Sequence, residues 1–398
     1  MKIFNIRFGK NFLFPNGFFI DFCTNDGVRS NLGKTEYYMP AFKLLPALYS
    51  QVIIGVVGLN ATGKTTILEA ISLILSILIG DQKLNESNVR TRLDKFFLFD
   101  SSSSLDFCVE FQNDTKVYKL ESIIEYTSDL YSYKQEKLSI TTISQYKKNK
   151  EFSEVRTRDI EKAGNHYLKD DVSIVSAVNK CNETYSSNLP FVNSNVPAWL
   201  GTAPNELVKC FDSSIKTITM FKNSVSNALE CSVTFNRKAG NKRQANDSQN
   251  HNKKIPIDSI LSSGTIKGIT MLPSIIEVLK NGGYFIADEL ENHFNKKIIE
   301  FILGLFNDRR TNPKGACLIF STHYPELLDF LSRKDNIYIT TRNNDDLLLT
   351  RLSDCKEVPR NDISKSRIIL SNIIKGTAPK KIDLDNAKRH ISSLVGGM

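Results

Sequence analysis

The sequence predicts an α/β protein: a mixed sheet flanked by helices around a phosphate-binding loop, with a mostly helical insertion in its middle third. Three observations carry this. A short β-branched run at 51–57 leads into a glycine-rich loop and then a long apolar helix. Helix and apolar strand alternate again between 265 and 321, the pattern of a parallel sheet. Two apolar strands in that stretch end in an acidic pair and in a histidine, respectively.

In chain order, residues 1–22 crowd apolar and aromatic side chains around a turn at Pro15-Asn16-Gly17, the signal of a β-hairpin, and 24–45 read as a loop. The strand at 51–57 precedes a helix expected over 64–79. Residues 105–120 read as two strands joined at Asn113-Asp114. From 122 the chain is rich in Ser, Tyr, Asn and Lys with poor periodicity, and a mixed, mostly helical insertion is expected there, reaching 235. Residues 236–254 hold six Lys/Arg, one Asp and almost nothing apolar, which predicts a flexible basic loop extending to 256. A helix at 265–280 then precedes a strand at 284–287, and a helix at 295–307 precedes a strand at 316–321. The expected division is an N-terminal core part at 1–121, the insertion at 122–235, the basic loop at 236–256, a C-terminal core part at 257–355 and a tail at 356–398. There is no internal repeat and no heptad stretch long enough for a coiled-coil arm. Trp199, beside Pro197 in the insertion, is read as a packing anchor.

The chain has 398 residues, enough for two to three folding units or one large domain with insertions. Hydrophobic residues at 41% and charged residues at 24% exclude a disordered or fibrous chain. A net charge of +9 fits an acidic partner such as DNA, and equally a solvated surface. The seven cysteines fall at 23, 108, 181, 210, 231, 317 and 355, with no C-x-x-C and no metal spacing, so reduced thiols are expected. The first residues carry no apolar signal core. The longest uncharged apolar run, 70–79, is about half a bilayer span. A cytoplasmic protein with no membrane association is expected.

Gly58-Leu59-Asn60-Ala61-Thr62-Gly63-Lys64-Thr65 matches G-x-x-x-x-G-K-[ST] between a predicted strand and a predicted helix, the context the motif requires. Such a loop turns backbone N–H groups inward, and the helix N-terminus adds partial positive charge around a phosphate. ATP with Mg²⁺ is therefore the expected ligand. Gly58, Asn60, Ala61, Thr62, Gly63, Lys64, Thr65 and Thr66 would surround it, with Lys64 bridging the β- and γ-phosphates and Thr65 ligating the metal. An acidic pair at a strand end would alone merely start a turn; behind a phosphate loop, Asp288 reads as the second Mg²⁺ residue and Glu289 as the base that polarises the attacking water. His323, after the next strand, is placed to contact the γ-phosphate and help hold that water.

Leu261-Ser262-Ser263-Gly264-Thr265 opens the helix before the acidic strand and resembles the LSGGQ signature of ABC-type ATPases. The order of phosphate loop, signature, acidic pair and histidine is the ABC order. The resemblance implies an ABC-type ATPase head in which Ser262, Ser263 and Gly264 bind the γ-phosphate of nucleotide held by another subunit. ATP would then hold two heads together as a homodimer or within a higher oligomer, and hydrolysis would release them.

Residues 261–295 and the run STHYPELLD at 321–329 further resemble the AAA family of soluble ABC-type ATPases of bacterial anti-phage defence, the abortive-infection AbiL/RloA type, relatives of the OLD and Septu ATPases. By that resemblance Glu291-Asn292-His293 falls at the dimer-contacting loop, although the His-Pro that usually follows is Asn295-Lys296 here. A Q-loop glutamine is not placed; Gln82 and Gln112 are the candidates. The residues after His323 are too few for a TOPRIM nuclease domain plus the end of the sheet. Asp345-Asp346 reads as a hairpin turn, and no Arg-x₄-His of the ribonuclease type occurs. The resemblance therefore implies a separately encoded effector, such as a TOPRIM-like nuclease, controlled by ATP-driven head pairing. The alternatives are a stand-alone DNA-binding or repair ATPase of the SMC- and RecF-like class, whose long heptads are missing between Thr65 and Ser262, and a clamp that barely turns over.

Overall fold

The computed structural model describes residues 1–24, 35–46, 48–97, 104–148, 150–159, 168–177, 185–188, 201–202, 204–222, 229–236, 255–256, 262–343, 346–357, 364–379 and 381–395. The chain opens with β1 (Lys2–Phe8) and β2 (Phe18–Asp21), the expected hairpin, followed by the short strands β3 (Cys23–Thr24), β4 (Ala41–Leu45) and β5 (Leu48–Gln51). Thus 41–45, expected as loop, is a strand paired to β5. Next come β6 (Ile53–Gly58), α1 (Lys64–Leu78) and α2 (Ser87–Phe97). β7 (Ser104–Asn113) and β8 (Lys116–Thr127) form the second expected hairpin, with Asp114 in the left-handed region at its turn.

The insertion, expected to be mostly helical, is instead mostly strand. The described residues form β9 (Leu130–Thr142), α3 (Ile143–Lys148), β10 (Ser153–Asp159), β11 (Tyr185–Asn188), β12 (Gly201–Thr202), α4 (Asn205–Phe211), β13 (Ile215–Lys222) and β14 (Leu229–Phe235), with only short helices among the strands. The physical reason is visible in β9. Tyr131, Tyr133, Leu138 and Ile140 alternate with polar residues on either side of one mid-strand shift, and β-branched and aromatic side chains at a period of two suit a pleated half-buried surface. Buried polar residues in the same strand, Glu136, Ser139 and Thr141, hid that period. Trp199, Cys181 and most of the basic run 236–256 lie outside the described residues, although β15 (Ile255–Pro256) pairs with β14.

The remainder is α5 (Ser263–Asn281), β16 (Tyr284–Ala287), α6 (Lys296–Asn307), β17 (Cys317–Thr322), β18 (Ile337–Asn343), β19 (Asp346–Arg351), α7 (Lys365–Leu370) and α8 (Lys381–Val395). β18 and β19 pair as the expected hairpin, but Asp346, expected in its turn, is the first residue of β19 and pairs with Asn343; residues 344 and 345 lie outside the described residues.

The central sheet has the order β11-β16-β17-β6-β18-β19, parallel except for the last pair. Its inner strands β16, β17 and β6 are buried on both faces, as strands covered twice must be. Ile54, Val56, Ile286, Ile319 and Tyr338 point to the side of α1 and the antiparallel sheet β10-β9-β8-β7-β1-β2. Ile53, Val57, Phe285, Leu318, Phe320 and Ile339 point to the side of α5 and α6. Helix α1 is buried nearly all round, which explains its unbroken apolar run. Each such Ile or Leu contributes about 2 kcal/mol of burial. No helix among the described residues is long and apolar enough to cross a membrane. The parallel strands all deliver their C-terminal ends to one edge, and the candidate site lies there.

Candidate active site

β6 ends in the phosphate loop, and the loop ends where α1 begins. Ala61 (φ +59°) and Gly63 (φ +85°) both take the left-handed conformation, which folds the loop back on itself. Gly63 is additionally confined, since a Cβ there would come within 2.5 Å of the Leu347 Cδ1 atom. The Thr62 hydroxyl hydrogen-bonds the Leu59 carbonyl at 2.7 Å and the Thr340 hydroxyl at 2.6 Å, tying the loop to the neighbouring strand β18.

Lys64 points back under the loop. Its Nζ donates to the carbonyls of Gly58 and Leu59, both at 2.9 Å, and reaches His323 Nδ1 at 3.2 Å. An ammonium group only donates, so Nδ1 accepts and the imidazole hydrogen sits on Nε2. Nε2 in turn donates to Glu289 Oε1 at 3.1 Å. On the other side, Thr65 Oγ1 donates to Asp288 Oδ2 at 2.7 Å, and Ser321 Oγ donates to Asp288 Oδ1 at 2.5 Å. Ser321 also accepts the Glu289 amide at 2.7 Å. Lys64, Thr65, Asp288, Ser321, Glu289 and His323 therefore close a ring of hydrogen bonds through two neighbouring residues of one helix.

The sheet order explains the ring. β17 lies between the strand of the phosphate loop and the strand of the acidic pair, so Ser321 and His323 stand between Lys64–Thr65 and Asp288–Glu289. Glu289 sits at φ +46°, an unusual backbone conformation for a residue with a side chain and one concentrated at functional sites. Burial pushes its carboxyl pKa up, but hydrogen bonds from His323 and Asn292, with the charge of Lys64, more than offset this and hold it below the usual carboxylate range. Burial draws the Lys64 ammonium down from its ordinary value against the opposing pull of Asp288, Glu289 and Glu291.

A cleft of about 580 Å³ opens over the ring, lined by residues 60–66 with Glu289, Glu291, Asn292, His323 and Tyr324. Of the residues expected from sequence, Asn60, Ala61, Thr62, Gly63, Lys64, Thr65, Thr66, Glu289 and His323 meet there, while Gly58 and Asp288 lie directly behind. Ser262, Ser263 and Gly264 do not line it. Ser262 caps α5, accepting the Thr265 amide at 3.1 Å. Gly264 packs so closely on the loop after Glu289 that a Cβ would come within 2.4 Å of the His293 carbonyl oxygen. Leu261 lies outside the described residues. Neither Q-loop candidate reaches the cleft; Gln112 donates to the Asp114 carbonyl at 2.8 Å.

Sequence reasoning passed over three contributors. Ser321 was legible as the first polar residue closing an apolar strand. Glu291, placed in the loop only by resemblance, is buried and accepts the His323 amide at 2.6 Å. Lys267 donates to the Asn292 carbonyl at 2.8 Å and lies over the Phe294 ring, 5.2 Å from its centroid. Nothing in local spacing marks a mid-helix lysine as a tether.

A phosphate loop on β6, an acidic pair on β16 and a histidine on the strand between them define a P-loop ATPase domain. The chain belongs to the family described as an AAA domain, putative AbiEii toxin, Type IV TA system. The family model matches residues 53–180 and 219–329, more than half of the chain and including the phosphate loop, Asp288, Glu289 and His323. No curated protein matches the chain.

Proposed function

We propose that this protein binds ATP with Mg²⁺, hydrolyses it, and uses the cycle to pair two heads and so control a separately encoded effector, such as a TOPRIM-like nuclease, in anti-phage defence. The observation that carries the reading is the ring joining Thr65 and Asp288 to Glu289 and His323. Thr65 Oγ1 and Asp288 Oδ2 are hard oxygen donors 2.7 Å apart beside a phosphate loop, the donor chemistry Mg²⁺ takes when phosphates and waters complete its shell. Bound there, the metal would supply charge neutralisation on the phosphates.

The chain's own residues divide the remaining work. Loop amides and Lys64 hold the phosphates, for which Lys64 must exchange the Gly58 and Leu59 carbonyls for phosphate oxygens. Glu289, kept ionised, accepts the proton of an attacking water, while His323 orients the Glu289 carboxylate and faces the γ-phosphate position. Ser262, Ser263 and Gly264 sit at a helix N-terminus away from their own cleft, and this supports a role on the nucleotide of a second subunit. The family's AbiEii description, with its toxin and Type IV TA setting, supports the defence context.

The test is the mass of Glu289→Gln protein purified with its neighbouring gene product, with and without ATP and Mg²⁺. An ATP-dependent dimer carrying the second protein is the expected result. A monomer that binds ATP without pairing would overturn head pairing, and a partner-free dimer that binds DNA would overturn effector control in favour of a repair role.

A further inference from the structure

Helix α8 stands apart from the rest of the fold. All of its described side chains, from 382 to 395, are exposed, with Leu384 at 59%, Ile391 at 58% and Leu394 at 71%. A fifteen-residue helix whose described side chains are all exposed is marginal in water, because helices of this length draw most of their stability from covering an apolar face. Leu384, Ala387, Ile391 and Leu394 recur at intervals of three and four residues and so form one stripe, the seam of two heptads. Leu384 and Ile391 take the first heptad position and Ala387 and Leu394 the fourth; the second heptad has the combination that favours two strands over three or four, and the small Ala387 permits close approach.

Charge selects the partner and its direction. In a parallel, in-register pair Asp383 of one helix lies opposite Lys388 of the other, twice by symmetry. We propose that α8 is a self-association helix, pairing in parallel and in register with α8 of a second copy of this chain. The contact uses no residue of the nucleotide cleft and forms without ATP. Two heptads make a weak dimer alone; joined to any other contact between the same two chains, they act at high effective concentration.

The test uses full-length protein without nucleotide, in a background with Cys181 and Cys210 changed to Ser. Ala387→Cys on the seam is expected to give disulfide-linked dimer under mild oxidation, and Arg389→Cys, on the outer face, to give little. Ile391→Asp, which disturbs no packing within the subunit, should abolish the cross-link. Asp383→Lys should lower the cross-linked fraction several-fold, and adding Lys388→Asp should restore it. Equal cross-linking at 387 and 389, no cross-linking at either, or cross-linking only when ATP is present would each overturn the proposal. Because the readout is taken without nucleotide, failure of ATP-driven head pairing leaves this result unchanged.

Discussion

Lys267 and Asn292 share a hydrogen bond that fastens the helix carrying Gly264 to the loop carrying Glu289: Nζ donates to the Asn292 carbonyl at 2.8 Å and lies 3.4 Å from that of Glu289. Asn292 in turn donates its side-chain amide to the Glu289 carboxylate. Burial draws the Lys267 ammonium down from its ordinary value, with Glu291, Glu289 and Asp288 pulling the other way. Lys267→Met should lower ATP turnover about tenfold, a fraction of what a positioned base contributes, while KM for ATP stays within about twofold. Lys267→Arg should keep most activity. Equal losses in kcat for both variants would contradict the tether.

Lys64→Ala should weaken binding of Mg²⁺-ATP by about 2 kcal/mol, the worth of a charge-assisted hydrogen bond. Calorimetric titration would then read a Kd roughly 30-fold higher. An unchanged Kd would mean that Lys64 stays on the Gly58 and Leu59 carbonyls in the bound state.

Ser321→Ala removes the hydroxyl that donates to Asp288 and accepts from the Glu289 amide. Its absence should raise the Mg²⁺ concentration for half-maximal hydrolysis by about tenfold, as loss of an outer partner of a metal ligand does. The fold should be untouched, so circular dichroism and melting temperature provide the control.

Asn292→Ala removes one of the hydrogen bonds that hold Glu289 low. An acid with a lowered pKa keeps its charge until the pH falls through that value, so losing the bond moves the pKa up. The acid limb of the hydrolysis profile should shift to higher pH. A shift to lower pH would contradict the role of Asn292.

Glu136 is fully buried, accepts from Ser173 Oγ at 2.6 Å and the Ile174 amide at 2.9 Å, and lies 3.6 Å from Arg158. Burial raises its carboxyl above the usual range, with Ser173, Ile174 and Arg158 opposing. Arg158→Met should cost about 3 kcal/mol by leaving the carboxylate unpaired. Since an acid raised on folding loses stability as pH climbs through its folded pKa, the deficit should be larger in alkaline than in acid denaturation series. ATP binding should not change.

The nucleotide side of the fold was legible because its constraints are local and chemical. Gly63, Lys64 and Thr65 must follow a strand and open a helix, and Asp288, Glu289 and His323 must close strands, so motif and context pointed to them and the structure brings them to one edge of the sheet. The insertion was not legible. In β8 and β9 the period of two is interrupted by buried polar residues such as Ser122, Glu136 and Ser139, and burial of Tyr131, Tyr133 and Leu138 in the core they share with α1 depends on pairing across the chain. Glu291 and Lys267 escaped for the same reason: each gains its role from a partner on another element. The apolar stripe of α8 was present in the sequence but too short to read as an arm.

Thr65 and Asp288 meet in space but lie 223 positions apart. At the usual pace of translation, the phosphate loop leaves the ribosome roughly 10 to 45 s before its acidic partner exists. During that interval the half-made chain has a cradle but neither Asp288 nor Glu289. The cradle therefore stands without its acidic partners until the chain has grown past residue 289, and the ring closes only when the strand that threads Ser321 between the two halves has been made.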